Sequence, residues 1–506
     1  MDSKFHTEAE FSLTKVEERH WLVGFVILAT AVTLVRLAVL FGQSFPLFFD
    51  EAQYWTWAQK LAFGYFSKPP FIAWIIATTT TFCGDGEACI RLSSPLFHLG
   101  TSVLIFVLGR DLYGARVGFW SGLTYIILPG VSLSAILIST DVFLLFFWAL
   151  ALVCLVRALS TNRPVWWIGL GFALGLGALS KYAMAYFVLC LLVYGAWSGR
   201  RLDLHRQGGL WGALALACLI LSPNILWNSV WGFPSFLHVG ENVNLGGQLF
   251  NPLAFIEFIG SQLALFGPFL LLSLVCAGLA LLQQTKELDT DGDANRLLAS
   301  FSMPILLLIA GQAFLSRAHG NWAAPAYVAG SVWVCGWLFS RGREFWLRAS
   351  IALHILAGTV FYNYTLIVQL TGIPIVKLTD PLSRVRGWDS AGPWASALGA
   401  QFPRSKFLFD DRTTMAELTY YVRPHPHNAV MWNPRRTMNN HYEMSTNMAE
   451  HIGRDFIYII RHDWPGFADW AFRDSRPLSI ISISDYPGHN LELRAYLLSG
   501  FQGYIE

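Results

Sequence analysis

"FFDEAQYWTWAQKLAFGYFSKPP", residues 48–70, sets two adjacent carboxylates, Asp50 and Glu51, directly after a long apolar run. Aromatic residues, Lys68 and the pair Pro69–Pro70 follow. The run that precedes the acids, Trp21 to Phe41, is about as long as a bilayer requires. It follows a polar stretch and is not closed by a small-residue cleavage site, so it reads as a retained helix and not a signal peptide. Acids at the end of a membrane helix are costly and by default mark function.

Working outward, the 506 residues are 54% hydrophobic and only 13% charged, where a soluble domain carries roughly 25% charged residues. Apolar runs at 21–42, 92–110, 117–137, 141–157, 165–180, 182–198, 209–227, 254–282, 297–315, 323–340 and 346–369 alternate with short polar loops. This predicts a polytopic α-helical membrane protein of about eleven transmembrane helices. The apolar stretch 69–82 reads as a further element lying in the interface. Lys and Arg concentrate in every second loop, as at Arg110 and Arg116, Arg157 and Arg163, or Arg200 and Arg201. The intervening loops hold few: Lys60, Lys68, Arg91, Lys181 and Arg317. The positive-inside rule then places the N-terminus in the cytoplasm, and an odd number of spans places the tail outside.

The tail, 371–506, changes character. Short apolar runs, "KFLF", "NAVMW", "DFIYII" and "LSIISI", alternate with helix-like pieces such as "TTMAELTYYV". This predicts a small α/β domain after a membrane domain 1–370, whose first outer loop is 44–91. The tail has neither a GxGxxG nor a GxxxxGK[ST] loop, so no nucleotide site is visible. A net charge of +2 without a basic run gives no sign of nucleic acid binding. Cys83 and Cys89 flank "GDGEA" in a loop and could pair only if that loop faces an oxidising compartment, or they could stay as free thiols. The other cysteines lie in apolar runs and read as packing residues.

With this topology the unusual polar residues gather on one face. Asp50 and Glu51 open the first outer loop, Asp141 starts a span, and Lys181 sits at the next outer turn. His238 and Glu241 lie in the loop 228–252. Arg317, His319 and Asn321 belong to "SRAHGNW". Any one of them alone reads equally well as a solvated loop residue; their shared sidedness favours function. Asp50, Tyr54, Trp57 and Leu61 fall on one helical face. With interface-seeking Trp and Tyr, residues 50–61 read as an amphipathic helix on the outer surface, with Asp50 also suited to cap its start.

An Asp-Glu pair just after the first membrane helix resembles the signature of the GT-C superfamily of membrane glycosyltransferases. The longer "DEAQYWTWAQKLAFGYFSKPPFIAW" is similar to the bacterial branch that holds the protein O-mannosyltransferase-like enzymes and the lipid A aminoarabinose transferase. The likeness continues through "LISTDVFLLFFWALAL", "GALSKYAMAY", "LSPNILWN", "HGNWAAPAY" and "DDRTTMAELTYYV", in the family's order. It implies an inverting transferase of the bacterial inner membrane, with active site and C-terminal domain in the periplasm. Such an enzyme moves a sugar from a polyprenyl-phosphate donor to a lipid or glycan acceptor, here lipid A or lipopolysaccharide core. A monomer is expected, and the charge pattern gives no sign of nucleic acid partners.

A carboxylate at the lipid boundary is suited to general-base work. Asp50 is therefore expected as the base, with Glu51 orienting it or binding the acceptor. The leaving phosphate needs positive charge. Lys68 matches the family's phosphate-contacting lysine, with Tyr65 beside it and Lys181 and Asp141 as further donor-binding candidates. Tyr54, Glu241, Arg317, His319 and Asn321 are the substrate-binding candidates. Ser67 stands where the aminoarabinose transferase has a metal-associated glutamate, so no metal or cofactor is assigned. A protein acceptor is one alternative. A transporter or flippase for a lipid-linked sugar is another, but it would place its charges near the midplane.

Overall fold

The computed structural model describes residues 2–43, 46–198, 206–244, 246, 249–283, 290–372, 380, 385–486 and 489–504. The chain divides into two compact units. The first comprises Met1–Gly42, Arg91–Val230 and Val239–Tyr364; the second comprises Gln43–Ile90, Trp231–His238 and Thr365–Glu506.

The first unit is helical. Among the described residues, six helices are long and apolar enough to cross a bilayer: Val16–Gly42, Glu87–Tyr113, Thr140–Thr161, Gly208–Val230, Gly292–Leu315 and Glu344–Tyr362. Shorter apolar helices, Pro164–Ser180, Tyr182–Trp197 and Ala326–Ser340, lie between them. Two expected spans are broken. The run 254–282 forms helices Pro252–Phe266 and Pro268–Gln283, bent by 108°. Gly267 makes the break with a φ of +90°, and a Cβ there would lie 2.1 Å from His354 Nε2. Only glycine suits that combination of backbone and space. The run 117–137 breaks at Leu128, which leaves the helical region ahead of Pro129, as the residue before a proline is pressed to do.

Some buried polar groups of this unit find partners within it, while others, Arg36 Nη1 and His354 Nδ1 among them, have none among the described residues. Arg36 is buried and bonds the Ile126 carbonyl, the Ser132 hydroxyl at 3.2 Å and the Tyr362 hydroxyl at 3.0 Å. A guanidinium in an apolar helix needs such partners, because no water is there to replace them.

The second unit holds the predicted α/β domain. Strands β1 (Lys406–Phe409), β2 (Val430–Met431), β3 (Phe456–Ile460), β4 (Phe472–Tyr486) and β5 (His489–Phe501) form one sheet in the order β2-β1-β3-β5-β4. Strand β1 runs parallel to β2 and β3, while β5 is antiparallel to β3 and β4. Every residue of β3 is buried, as expected of the unbroken apolar run "FIYII" in a strand covered on both faces. Helices Trp388–Gln401 and Arg412–Tyr421 belong to the same domain.

The first outer loop clusters with this C-terminal domain. It forms helices Phe49–Ala58 and Phe71–Cys83, and Cys83 is disulfide-bonded to Cys89. The amphipathic surface helix expected over 50–61 is not what forms. The helix ends at Ala58, Leu61 is exposed beyond it, and seven of its ten residues are buried, including Tyr54, Trp55 and Trp57. The cause is a partner that helical periodicity could not show, the helix Arg412–Tyr421. Tyr420 meets Trp55 edge-on, with ring centroids 5.1 Å apart, and its hydroxyl donates to the Asp85 carbonyl at 2.8 Å. The Leu47 N–H donates to the Tyr421 hydroxyl at 2.7 Å.

Trp55 is the hub of this packing, since its indole N–H also donates to Asp85 at 3.2 Å. Trp55→Ala should destabilise the second unit by about 3–5 kcal/mol, the usual cost of removing a buried aromatic side chain. Thermal unfolding in detergent and limited proteolysis of residues 388–504 report it. An unchanged melting temperature would mean that the loop and the C-terminal domain do not share a core.

Candidate functional site

In the second unit, the two acids of the first loop take different tasks. Glu51 is buried and turns back on its own helix, where its Oε2 accepts the Phe48 N–H at 2.9 Å. Capping therefore falls to Glu51, while Asp50 stands inside the first turn, where the helix dipole also favours an acid.

Asp50 is left to face Arg412. The guanidinium Nη2 donates to Asp50 Oδ1, Nε donates to Gln53 Oε1 at 2.6 Å, and the guanidinium carbon lies 5.1 Å from the centre of the Phe49 ring. Arg412 is aimed by its helix start: the Asp411 carboxylate accepts from the Thr414 N–H at 2.8 Å and the Thr414 hydroxyl at 2.9 Å, an N-cap that fixes where the helix begins. Sequence reasoning quoted "DDRTTMAELTYYV" yet missed Arg412 as a site residue. The visible signal was a capping Asp followed by an arginine in a stretch the family shares.

Lys68 is set by a tight turn. The Tyr65 and Lys68 backbones bond each other in both directions, at 3.1 and 3.4 Å, and Pro69–Pro70 lead into the helix Phe71–Cys83. Tyr65 itself is buried and builds this turn. Its hydroxyl donates to the Trp57 carbonyl at 3.0 Å and accepts the Ala62 N–H at 3.1 Å, and its ring stacks on Trp57 at 4.5 Å. Burial pushes its phenol up to about 12. Tyr54 likewise packs on Trp57, at 5.1 Å. Both tyrosines thus shape the loop from within.

His238 completes the group. Ser235, one turn before it, donates to the Tyr65 carbonyl at 2.7 Å, and the imidazole lies 5.6 Å from the Phe66 ring. Burial, with the charges of Lys68 and Arg412, lowers its pKa to about 4, against the opposing pull of Asp50. His441, packed against Trp57 and Tyr65, is lowered to about 3, first by burial and then by Arg412 and Lys60. Both rings are neutral at physiological pH. Among the described residues no three His, Cys, Asp or Glu side chains are grouped to hold a metal ion. Ser67 brings no carboxylate, Asp50 is engaged by a guanidinium, and two cations act on His238.

In the first unit, three distant segments meet. Asp141 lies in the first turn of the helix Thr140–Thr161, and Lys181 closes the helix Pro164–Ser180. Lys181 Nζ is 2.6 Å from Asp141 Oδ1, and Asn321 Nδ2 donates to Asp141 Oδ2 at 2.9 Å. Beside Lys181, the Tyr182 hydroxyl donates to Asn224 at 2.8 Å and accepts from Asn228 at 3.2 Å. These asparagines were also missed. Two amides four residues apart in "NILWN" share a helix face, and buried amides in an apolar span need partners. Arg317 is exposed and donates to the Asn242 carbonyl at 3.3 Å. His319 is exposed against Trp322, and Glu241 is exposed near the end of the helix Pro234–Val243.

A bundle of membrane helices joined to a mixed-sheet domain, with a loop acid and a loop lysine beside it, defines the architecture of a GT-C membrane glycosyltransferase. The solved apo structure of ArnT from Cupriavidus metallidurans has this fold: it superposes with a TM-score of 0.63 over 95% of this chain and 98% of that one, at 17% identity. The family model described as dolichyl-phosphate-mannose-protein mannosyltransferase matches residues 67–227. The lipid A galacturonosyltransferase RgtD of Rhizobium johnstonii is 30% identical over 437 residues, 86% of this chain and 90% of that protein. An undecaprenyl phosphate-alpha-4-amino-4-deoxy-L-arabinose arabinosyl transferase of Pseudomonas fluorescens is 27% identical over 224 residues, 40% of each chain. The chain belongs to the GT-C superfamily, in the branch of the protein O-mannosyltransferase-like and lipid A aminoarabinose transferase-like enzymes, and is a glycosyltransferase of the membrane.

The lowered histidines have a consequence for acid stability. Between about pH 6.5 and about 4 the unfolded chain binds protons at positions 238 and 441 that the folded chain refuses. Stability is therefore full above the unfolded value and falls as pH drops through that window, by up to ~1.4 kcal/mol per pH unit for each proton. His441→Gln should make the pH dependence of the unfolding temperature shallower over that range. Superimposable curves for parent and variant would place His441 in a polar, accessible environment instead.

Proposed function

We propose that the protein transfers a galacturonosyl residue from a polyprenyl-phosphate carrier to lipid A, on the periplasmic side of a bacterial inner membrane. The observation that carries this reading is the match to a lipid A galacturonosyltransferase over most of both chains. The donor class is supported by the carrier named for the aminoarabinose relatives. It is supported equally by the tail, which has no phosphate-cradling glycine loop of the kind a nucleotide sugar would use. The periplasmic orientation rests on the Lys and Arg asymmetry of the loops.

In the proposed reaction Asp50 takes the proton from an acceptor hydroxyl. The freed oxygen pair attacks the anomeric carbon, and the bond to the carrier phosphate breaks from the opposite face. The phosphate leaves with those electrons, so the sugar inverts. Lys68, on its closed turn, supplies positive charge to the departing phosphate. The ammonium of Lys181 is paired with Asp141 at 2.6 Å. Glu51 acts through the helix start it caps, so it positions Asp50. The protein works as a monomer in this reading, with no cofactor.

Mass spectrometry of lipid A and core oligosaccharide from cells with and without the gene tests the reading. The expected result is one hexuronic acid residue on lipid A, present with the parent gene and absent with Asp50→Asn. Losing a general base typically costs about 10²–10⁴-fold. The uronic acid found on the core alone would move the acceptor, and an unchanged lipid profile in both fractions would remove the proposal.

Because Ser67 brings no carboxylate and Asp50 is engaged by Arg412, transfer in lipid vesicles should survive EDTA. Complete loss that one added metal restores would show that His238 or Glu51 is a ligand after all.

A further inference from the structure

We propose that Arg412 reads the acidic group of the transferred sugar, exchanging its hold on Asp50 for the sugar's carboxylate. The inference rests on the uronic acid donor proposed above and assigns the residue that would select it.

Arg412 is built for such an exchange. Its Nε is held at 2.6 Å by Gln53, which is itself buried, and Phe49 backs the guanidinium plane. The fork is thus oriented before any ligand arrives, and a planar fork matches a carboxylate in two-point geometry. The bond to Asp50 is the replaceable part. The side chains of Arg412 and Asp50 are 31% and 34% exposed, and ion pairs open to water contribute only about 0–1 kcal/mol. A carboxylate delivered on a bound substrate can displace one that stands in water.

The exchange also has a chemical effect. While the guanidinium occupies Asp50 Oδ1, that oxygen is not available to a hydroxyl proton. A uronic acid that draws Arg412 away leaves Asp50 open to the acceptor. A neutral sugar offers Arg412 nothing in return, and a sugar carrying an amino group meets a like charge. Lys68 is placed for the carrier phosphate, so the charge of Arg412 is left for a second anion. Because the acidic group both binds and releases the base, discrimination should appear in kcat as well as in KM.

The test uses the full-length enzyme in lipid vesicles with lipid A as acceptor. Two donors on the same polyprenyl-phosphate carrier are compared, one bearing galacturonic acid and the other galactose. The parent should favour the uronic acid donor, and Arg412→Gln should bring the ratio of the two kcat/KM values down by about 10–100-fold, the range of a hydrogen bond to a charged group. Arg412→Lys keeps the charge without the fork and should fall between them. Its unfolding temperature, with that of Arg412→Gln, shows whether either variant is misfolded. If Arg412→Gln slows both donors equally and leaves their ratio unchanged, Arg412 only holds Asp50 in place and the proposal fails. A parent that prefers the galactose donor also overturns it, while leaving the polyprenyl-phosphate reading intact. A parent that uses neither donor removes both.

Discussion

An arginine supplied by the C-terminal domain meets an acid supplied by the first loop, and much of the second unit is arranged around that pair. Asp50 follows a membrane helix, where an acid needs a partner or water. Arg412 comes from a helix more than three hundred and sixty residues later, a separation of 362 in sequence. For the two to meet, the helix Arg412–Tyr421 must lie against the helix Phe49–Ala58. Trp55, Tyr420, Tyr421 and Asp85 hold it there. The ion pair is exposed and contributes little stability of its own. The buried aromatics stabilise the arrangement, and the pair is its part-exposed element.

The same division between scaffold and reactive group recurs within the loop. Glu51 and Tyr65 look chemical in the sequence, yet Glu51 Oε2 accepts from the Phe48 backbone and the Tyr65 hydroxyl bonds the Trp57 and Ala62 backbone. Their neighbours Asp50 and Lys68 are thereby placed on short, fixed stems. In the membrane unit, Asp141 plays a comparable part by gathering Lys181 and Asn321 from two other segments. A buried carboxylate with both oxygens engaged is stable in an apolar surrounding only because each partner is present.

What the sequence showed follows from what is local. Hydrophobic run length located the apolar helices but not eleven spans, since six helices among the described residues are long and apolar enough to cross a bilayer, and the runs "KFLF", "DFIYII" and "LSIISI" located β1, β3 and part of β4. The break at Gly267 was missed, because run length reads 254–282 as one span, although a glycine followed by a proline can end a helix. Asp50 and Lys68 stood out because charge is rare in this chain. Arg412 did not, because arginines are ordinary in a soluble domain and its importance lies wholly in a contact across the sequence. The amphipathic reading of 50–61 failed for the same reason: periodicity reports that one face is apolar and says nothing of a second partner that covers the other.

Electrostatics in the second unit are consistent with an anionic ligand. His238 feels Lys68 and Arg412 more than it feels Asp50, and the imidazole is driven down to about 4 by those cations on top of burial. His441 reports the same sign, with Arg412 and Lys60 among its causes. Both histidines are neutral and stand in a positive field. They are well disposed toward phosphate and carboxylate, whose charge the field offsets. Ser67, next to Lys68, brings no negative charge of its own. A carboxylate at that position would moderate the charge of Lys68, and the Ser67 hydroxyl does not.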